Sequence, residues 1–81
     1  MTKVEIKTDF IKLDQFLKFA NILESGGIAK QFIQEGLVQI NGEVCTQRGK
    51  KLYPKDRVDV FCPNDEGEIE HIASCEVIKR V

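Results

Sequence analysis

The dipeptide Asn41–Gly42 constrains the fold of this chain more than any other part of its sequence. A two-residue hairpin turn of this kind needs positive φ at both central positions, which Asn and Gly tolerate best. The alternating segments on either side, residues 38–40 and 43–45, therefore predict two antiparallel strands. A glycine and three cations follow shortly after, as Arg48, Gly49, Lys50 and Lys51. A rigid hairpin beside this basic loop is a candidate phosphate-binding surface, because a glycine lets the backbone approach a phosphate closely.

Two short helices are predicted before the hairpin. Apolar side chains recur every three or four residues from Leu13 to Leu23, which predicts helix one over residues 13–22. Ser25 is a suitable N-cap for helix two, and Gly36 is placed to end that helix in a left-handed conformation. The predicted apolar face of helix two carries Ile28, Ala29, Phe32 and Ile33.

Strands account for most of the remaining pattern. Alternation predicts an N-terminal strand over residues 3–7, a strand from Arg57 to Cys62 and a last strand from Ile69 to Val81. The segment Tyr53–Asp56 is predicted as a turn, because the ring of Pro54 fixes φ at the second position. Two short helices packed on a small, mostly antiparallel sheet define an α+β domain, and no linker divides residues 1–81.

The charge of the chain is local. Its 12 basic and 13 acidic residues give a net charge of −1, so bulk charge does not favour a polyanionic partner. Residues 44–57, however, hold five cations against one carboxylate, whereas residues 64–70 hold four carboxylates and no cation. We interpret the acidic segment, which overlaps a predicted polar turn at Pro63–Gly67, as a solvated loop. The alternative is that it screens the charge of the basic face and weakens non-specific binding of polyanions there.

The sequence favours neither catalysis nor metal binding. The only histidine, His71, lies in the predicted last strand, and no phosphate-cradling loop followed by Lys-Ser or Lys-Thr is present. Cys45, Cys62 and Cys75 include no Cys-x-x-Cys pair, which favours small buried side chains in a reducing compartment. A zinc site built from these cysteines and His71 is the alternative by count, although structural zinc sites usually take paired ligands.

The sequence also lacks the signals of membrane insertion and secretion. No apolar run approaches the ~20 residues that a membrane-spanning helix needs. The N-terminal segment, residues 1–5, has no apolar core of a secretion signal. We therefore expect a cytoplasmic protein without a cofactor.

Cations on both helices, and the glycines between them, are candidates for binding a polyanion. Lys12 precedes helix one, Lys18 lies on it, and Lys30 lies on helix two. The segment Ser25–Gly26–Gly27 offers free backbone N–H groups at a helix start, where the helix dipole favours an anion. Taken alone, a plain interhelical turn is the simpler interpretation of that segment.

Three of the six aromatic residues are predicted to lie in the core. Phe16, Phe32 and Phe61 fall on apolar faces, whereas Phe19 falls off the main stripe of helix one. Tyr53 has two interpretations: stacking on an unpaired base, or packing beneath the turn that it begins. Packing is the favoured one.

Four stretches of the chain resemble the S4-like RNA-binding domain, also called the alpha-L motif. They are Ile11–Lys18, Gly27–Lys30, Gly36–Gly42 and Pro54–Val58, and the resemblance covers about residues 10–62. Further stretches are similar to short stand-alone bacterial proteins of the YaaA and YbcJ type, namely Gln15–Lys18, Ser25–Lys30 and Arg48–Leu52. The resemblance implies RNA binding through one face made by the two helices and the hairpin loop.

The resemblance also implies which positions bind RNA. Lys12 stands where the family commonly has an arginine, and Gly26 and Gly27 lie where many members have a serine-arginine pair. Lys55 replaces the glycine usual before Asp56, which costs roughly 1 kcal/mol if φ is positive there. The expected RNA-binding residues are Lys12, Lys18, Ser25, Gly26, Gly27, Lys30, Asn41, Gly42, Arg48, Gly49, Lys50 and Lys51.

The predicted function is therefore that of a non-catalytic RNA-binding protein acting on structured RNA such as ribosomal RNA. Phosphate contacts would supply most of the affinity, and RNA shape most of the selectivity. The alternative is a protein-interaction adaptor associated with the ribosome. In that case the alternating apolar segment Ile72–Val77 would pair with a partner at an open sheet edge.

Overall fold

Two helices and seven strands build the fold in this computed structural model, which describes residues 1–80. In chain order they are β1 (Thr2–Ile6), β2 (Ile11–Lys12), α1 (Leu13–Phe19), α2 (Gly26–Gln34), β3 (Val38–Ile40), β4 (Glu43–Val44), β5 (Lys51–Leu52), β6 (Arg57–Pro63) and β7 (Ile69–Lys79). The two helices pack together beside the sheet, so the predicted α+β class is confirmed. Val81, the last residue of the predicted final strand, lies outside the described residues.

Both helices end in the same backbone motif. At the end of α2, the N–H groups of Gly36 and Leu37 donate to Ile33 and Phe32, and Gly36 has φ +76°, as predicted. At the end of α1, the left-handed residue is Asn21, with φ +62°. The prediction that helix one extends to residue 22 is wrong, because this asparagine ends it at Phe19.

The start of α2 follows its capping signal. Ser25 has an extended backbone, and its Oγ accepts a hydrogen bond from the N–H of Ile28 at 3.2 Å. This bond satisfies one of the N–H groups that the first helical turn leaves without a partner. The cap therefore fixes where α2 begins and how its exposed first turn, Gly26–Gly27, is presented.

The main sheet has the strand order β1-β7-β6-β3-β4. The β3–β4 hairpin pairs Gln39 with Val44 and Ile40 with Glu43, and its turn residues Asn41 and Gly42 have φ of +51° and +87°. Both values are positive, as the turn prediction requires. Strand β1 pairs with β7 in parallel and the remaining pairs are antiparallel, which confirms a mostly antiparallel sheet.

A second, two-stranded sheet joins β2 to β5 and was not predicted. It pairs Ile11 with Leu52 and Lys12 with Lys51. Leu52 is fully buried and Ile11 is half-buried against the core, so the two lysines point to the opposite, solvent-exposed face. This small sheet attaches the basic loop to the start of α1.

The core lies between the helices and the main sheet. Leu13, Phe16 and Leu17 of α1 are completely buried, together with Val58 and Val60 of β6. Of the other aromatics, Phe32 is partly buried against this core, as expected.

Phe61 was predicted to lie in the core and Phe19 was not, and the structure places both outside the core cluster. Phe61 is only half-buried, with its ring centroid 4.9 Å from that of His71. Phe19, the residue off the main stripe of helix one, is 61% exposed.

The turn at Tyr53–Asp56 holds a non-glycine residue in the left-handed region. The N–H of Asp56 donates to the carbonyl of Tyr53 at 3.0 Å, and Lys55 has φ +81°. Proline followed by positive φ is the pattern of a type II turn, which favours glycine at the position of Lys55. A Cβ in this region costs about 1 kcal/mol or more.

We expect Lys55→Gly to raise the free energy of unfolding by about 1 kcal/mol, because it removes this strain. For a domain of this size the melting temperature should rise by roughly 4–8 °C. Thermal and denaturant unfolding measure the change. Lys55→Ala is the control, since it removes the same charge and keeps the Cβ. An equal gain in both variants would assign the effect to charge instead.

Candidate nucleic-acid interface

The basic loop closes directly on the first turn of α1. The N–H of Leu13 donates to the carbonyl of Lys50 at 2.8 Å, and the N–H of Asp14 donates to the carbonyl of Arg48 at 3.1 Å. These bonds satisfy two N–H groups at the helix start, where Lys12 makes no side-chain cap. The backbone of the loop is thereby held against the helix, while its side chains remain exposed.

Four cations gather at this junction: Lys12, Arg48, Lys50 and Lys51, hereafter the basic cluster. Lys12 and Lys51 are direct cross-strand partners, and like charges in that arrangement destabilise a sheet. Within residues 1–80, the ion pairs are Arg57–Asp59, His71–Asp59 and Lys79–Asp9, and none of them involves the basic cluster. None of its four cations therefore forms an ion pair with a described carboxylate.

An open groove of about 620 Å³ runs between the basic loop and the β3–β4 hairpin. Lys50 and Lys51 line one side of it, and Asn41 and Glu43 line the other. Tyr53 also lines the groove. The hairpin and the basic loop, adjacent in the sequence, thus form two walls of one concave surface.

Asn41 serves mainly to position this surface. Its Nδ2 donates to Asp56 Oδ1 at 3.0 Å, and its Oδ1 accepts the N–H of Arg57 at 2.9 Å. The other carboxylate oxygen of Asp56 accepts the N–H of Tyr53 at 2.8 Å. Asp56 therefore ties the hairpin turn to the turn that carries Tyr53, a role that the sequence did not indicate.

The other predicted site residues lie on separate parts of the surface. Lys18 and Lys30 are exposed on α1 and α2 and do not line the groove. A Cβ built at Gly26, Gly42 or Gly49 would meet nothing within 4 Å, so these backbone segments are open. The structure thus joins Lys12, Asn41, Arg48, Lys50 and Lys51 into one region, and the helical cations Lys18 and Lys30 are not part of it.

The sequence favoured packing of Tyr53 beneath its turn, and this interpretation is wrong. The residue is 49% exposed, and its ring centroid lies 6.1 Å from that of Phe10. Lys51 places its Nζ over the Phe10 ring, 4.7 Å from the centroid. Phe10 was missed, although it precedes β2 and alternates with Lys12, so its outward direction follows from strand geometry once β2 is known.

Comparison with known proteins shows the family to which the chain belongs. A family model for the S4 domain matches residues 4–70, which is most of the chain. The chain belongs to the S4 domain family. The resemblance predicted from the sequence is thus confirmed, over a wider span than residues 10–62.

Two known proteins are similar to this S4 domain to different degrees. It is 46% identical over 57 residues to a probable ribosome maturation protein, RlbA, of Bacillus subtilis strain 168, covering 70% of this chain and 80% of that protein. The 30S ribosomal protein S4e from Thermoplasma acidophilum is 16% identical with a TM-score of 0.49. That match covers 80% of this chain but only 38% of the ribosomal protein.

A second polar cluster of the S4 domain lies within the main sheet. Asp59 is buried, and its carboxylate contacts Arg57 Nε at 3.1 Å and His71 Nε2 at 2.9 Å. Burial by itself raises the pKa of Asp59, but hydrogen bonds from Ser74 and His71 and the charge of Arg57 outweigh it, so the pKa lies below its usual range. The imidazole of His71 is thus held on the carboxylate of Asp59.

The cysteines of the S4 domain are separate from one another. Cys75 is buried, and burial is the main cause that raises the pKa of its thiol. Cys45 and Cys62 are half-buried and unpaired. Over residues 1–80 no group of three or more His, Cys, Asp or Glu side chains is arranged to hold a metal ion. No helix in the same range is long and apolar enough to cross a bilayer.

An open edge was predicted at Ile72–Val77 of the last strand, and the structure has it in the N-terminal half of that strand instead. Cys75–Lys79 pairs with β1, and Cys75 and Val77 are buried, so this part of the predicted segment is covered. Along the edge of β7 that pairs with β1, residues 69–74 have no partner among the described strands, although their other edge pairs with β6. The exposed side chains Ile69 and Ile72 belong to this stretch.

Proposed function

We propose that this S4 domain is a non-catalytic RNA-binding protein whose target is structured RNA, with ribosomal RNA the first candidate. The observation that carries the proposal is the basic cluster, in which two lysines face each other across β2 and β5 without a carboxylate partner. The similarity to a probable ribosome maturation protein supports a ribosome-related role. Such a role would place the protein in the cytoplasm.

The basic cluster would contact RNA phosphates from a fixed backbone. Two hydrogen bonds hold the carbonyls of Arg48 and Lys50 on the first turn of α1, so less ordering of the loop is needed on binding. Side chains that leave a rigid support at fixed spacing suit the regular phosphate spacing of a folded RNA. Affinity would then come mainly from phosphates, and selectivity from RNA shape.

The remaining predicted residues would extend this surface. Lys18 and Lys30 would add phosphate contacts from the exposed faces of α1 and α2. Ser25 would act through its cap, by fixing the exposed N–H groups of Gly26 and Gly27. Gly42 and Gly49 would leave the backbone open to a phosphate, and Asn41 would hold the hairpin in place.

Salt dependence tests the proposal. With about four to six phosphates neutralised, log affinity for a structured RNA hairpin should fall against log salt with a slope of roughly −3 to −5. Lys50→Ala should weaken binding to unrelated hairpins alike and reduce the size of that slope by about 1. Fluorescence anisotropy with labelled hairpins over a salt series measures both quantities.

Lys3→Ala is the matched control, because Lys3 is an exposed lysine on β1, at the opposite edge of the sheet from the hairpin. It should leave the slope and the affinity nearly unchanged. A slope near zero for the unmodified protein would overturn the RNA-binding proposal. Equal effects of Lys3→Ala and Lys50→Ala would overturn the assignment to the basic cluster.

The open edge at residues 69–74 favours a second candidate, a protein-interaction adaptor associated with the ribosome. An extended segment of a partner could add a strand there by main-chain hydrogen bonds. Pull-downs with and without ribonuclease separate the two functions. Partners that survive ribonuclease and are lost in Ile72→Lys would favour the adaptor, whereas partners released by ribonuclease favour RNA binding.

A further inference from the structure

Phe10, Lys51 and Tyr53 form one continuous exposed surface beside the basic cluster. The Phe10 and Tyr53 rings are tilted by 48° at a centroid distance of 6.1 Å, which lies in the range of favourable aromatic pairs. The ammonium of Lys51 lies over the Phe10 ring, as in a cation–π contact. Phe10 therefore contacts both neighbours and restricts where the Tyr53 ring and the Lys51 charge can be.

The two aromatic rings are not equivalent. Tyr53 lines the groove between the basic loop and the hairpin, whereas Phe10 does not. Phe10 is also less exposed than Tyr53, at 37% against 49%, and it already carries the ammonium of Lys51. The ring that is free to receive a flat ligand from the groove is therefore that of Tyr53.

The groove offers what a nucleotide requires. Its volume of about 620 Å³ falls within the ~300–1,000 Å³ typical of small-ligand sites. Tyr53 supplies a π-face for a base, and Lys50 and Lys51 supply charge for the adjoining phosphates. The opposite wall carries Glu43, an acceptor-only group that suits a base edge with an amino donor.

We propose that Tyr53 is a stacking site for one unpaired nucleobase of the bound RNA, with Phe10 as the positioning residue behind it. The inference rests on the proposed RNA-binding function and adds a preference: the target should carry an unpaired base, such as adenine, beside a helical stem. Phosphate contacts by the basic cluster bring the RNA to the groove, and stacking on Tyr53 selects RNA with a base available to enter it.

The chain is well suited to a direct test, because Tyr53 is its only tyrosine and it has no tryptophan. All tyrosine emission therefore comes from the proposed stacking site. The probes are two RNA hairpins with the same stem, one with an adenosine loop and one with an abasic loop. The adenosine hairpin should quench the emission of Tyr53, after correction for absorbance, and the abasic hairpin should leave it nearly unchanged.

Affinity measurements supply the second readout. Tyr53→Ala should weaken binding of the adenosine hairpin by about 5-fold to 150-fold, the range for loss of one base–aromatic stack, and should hardly change binding of the abasic hairpin. Tyr53→Phe, which keeps the π-face, should retain the affinity of the unmodified protein. Phe19→Ala is the matched control, because Phe19 is an exposed aromatic that does not line the groove, and it should have no effect.

The outcomes separate this inference from the function on which it rests. Salt-dependent binding of both hairpins with equal affinity, and no selective quenching, would overturn the stacking site and leave the phosphate-binding function intact. Absence of salt-dependent binding to either hairpin would overturn the function itself. Thermal unfolding of Tyr53→Ala should show an intact fold, because the hydrogen bond to Asp56 comes from the Tyr53 backbone.

Discussion

Replacing Arg48, Lys50 and Lys51 together by alanine should lower affinity for a structured RNA by about two to three orders of magnitude at ~0.1 M salt. Each lost phosphate contact removes about 0.9 from the slope of log affinity against log salt, so the slope should shrink by nearly 3. The effect is large because three phosphate contacts are lost together, and none of these cations is held in an ion pair with a described carboxylate in the free protein. Anisotropy titrations over a salt series measure it.

A triple variant with the same change in charge provides the comparison. Lys3, Lys7 and Arg80 are exposed, and Lys3 lies on β1, the sheet edge farthest from the hairpin. Their joint replacement by alanine should change affinity only through net charge, by a few-fold. If the two triple variants weaken binding equally, affinity depends on total charge, and the basic cluster has no special role.

Asp56→Ala should lower the free energy of unfolding by about 2–3 kcal/mol, because two hydrogen bonds to a carboxylate are lost at once. One comes from the side chain of Asn41 and the other from the N–H of Tyr53. The melting temperature should fall by roughly 10–20 °C for a domain of this size. Differential scanning calorimetry and urea unfolding measure the two quantities.

Asp65→Ala is the control for this prediction, since Asp65 is an exposed carboxylate in the acidic turn, residues 64–70. It should change stability by about 0.5 kcal/mol or less, as is usual for such surface positions. A loss in Asp56→Ala no larger than this would mean that the bonds between the two turns contribute little, and that the groove depends on other contacts.

Features with a local physical cause could be predicted from the sequence. The turn at Asn41–Gly42, the cap at Ser25 and the helix end at Gly36 each depend on the conformational freedom or hydrogen bonding of residues within about one helical turn. The end of helix one was wrong for a related reason. Asn21 takes the left-handed position, which asparagine tolerates without being a glycine, and it ends α1 before residue 22.

Features that join distant residues could not be predicted in this way. Strands β2 and β5 have two residues each, too few to show a period, and their partners lie about 40 residues apart. The bonds from Leu13 and Asp14 to the basic loop involve only backbone atoms, which leave no signature in side-chain pattern. The cations of the basic cluster are visible in the sequence, but their meeting at the start of α1 could not be predicted from it.

The ribbon formed by β6 and β7 places the carboxylates of the acidic turn far from the groove. Strand β6 spans seven residues from Arg57, next to the Tyr53–Asp56 turn, to Pro63, which is about 20 Å at the usual rise per residue. The acidic turn lies beyond Pro63 and is fixed by bonds from the Glu66 and Glu68 N–H groups to Asn64. Its distance from the Tyr53–Asp56 turn is therefore more than two Debye lengths, which are ~8 Å each at physiological salt. A chain of almost zero net charge thus carries a permanent dipole moment, and the field of a nucleic acid would rotate it, positive end foremost, before the surfaces touch.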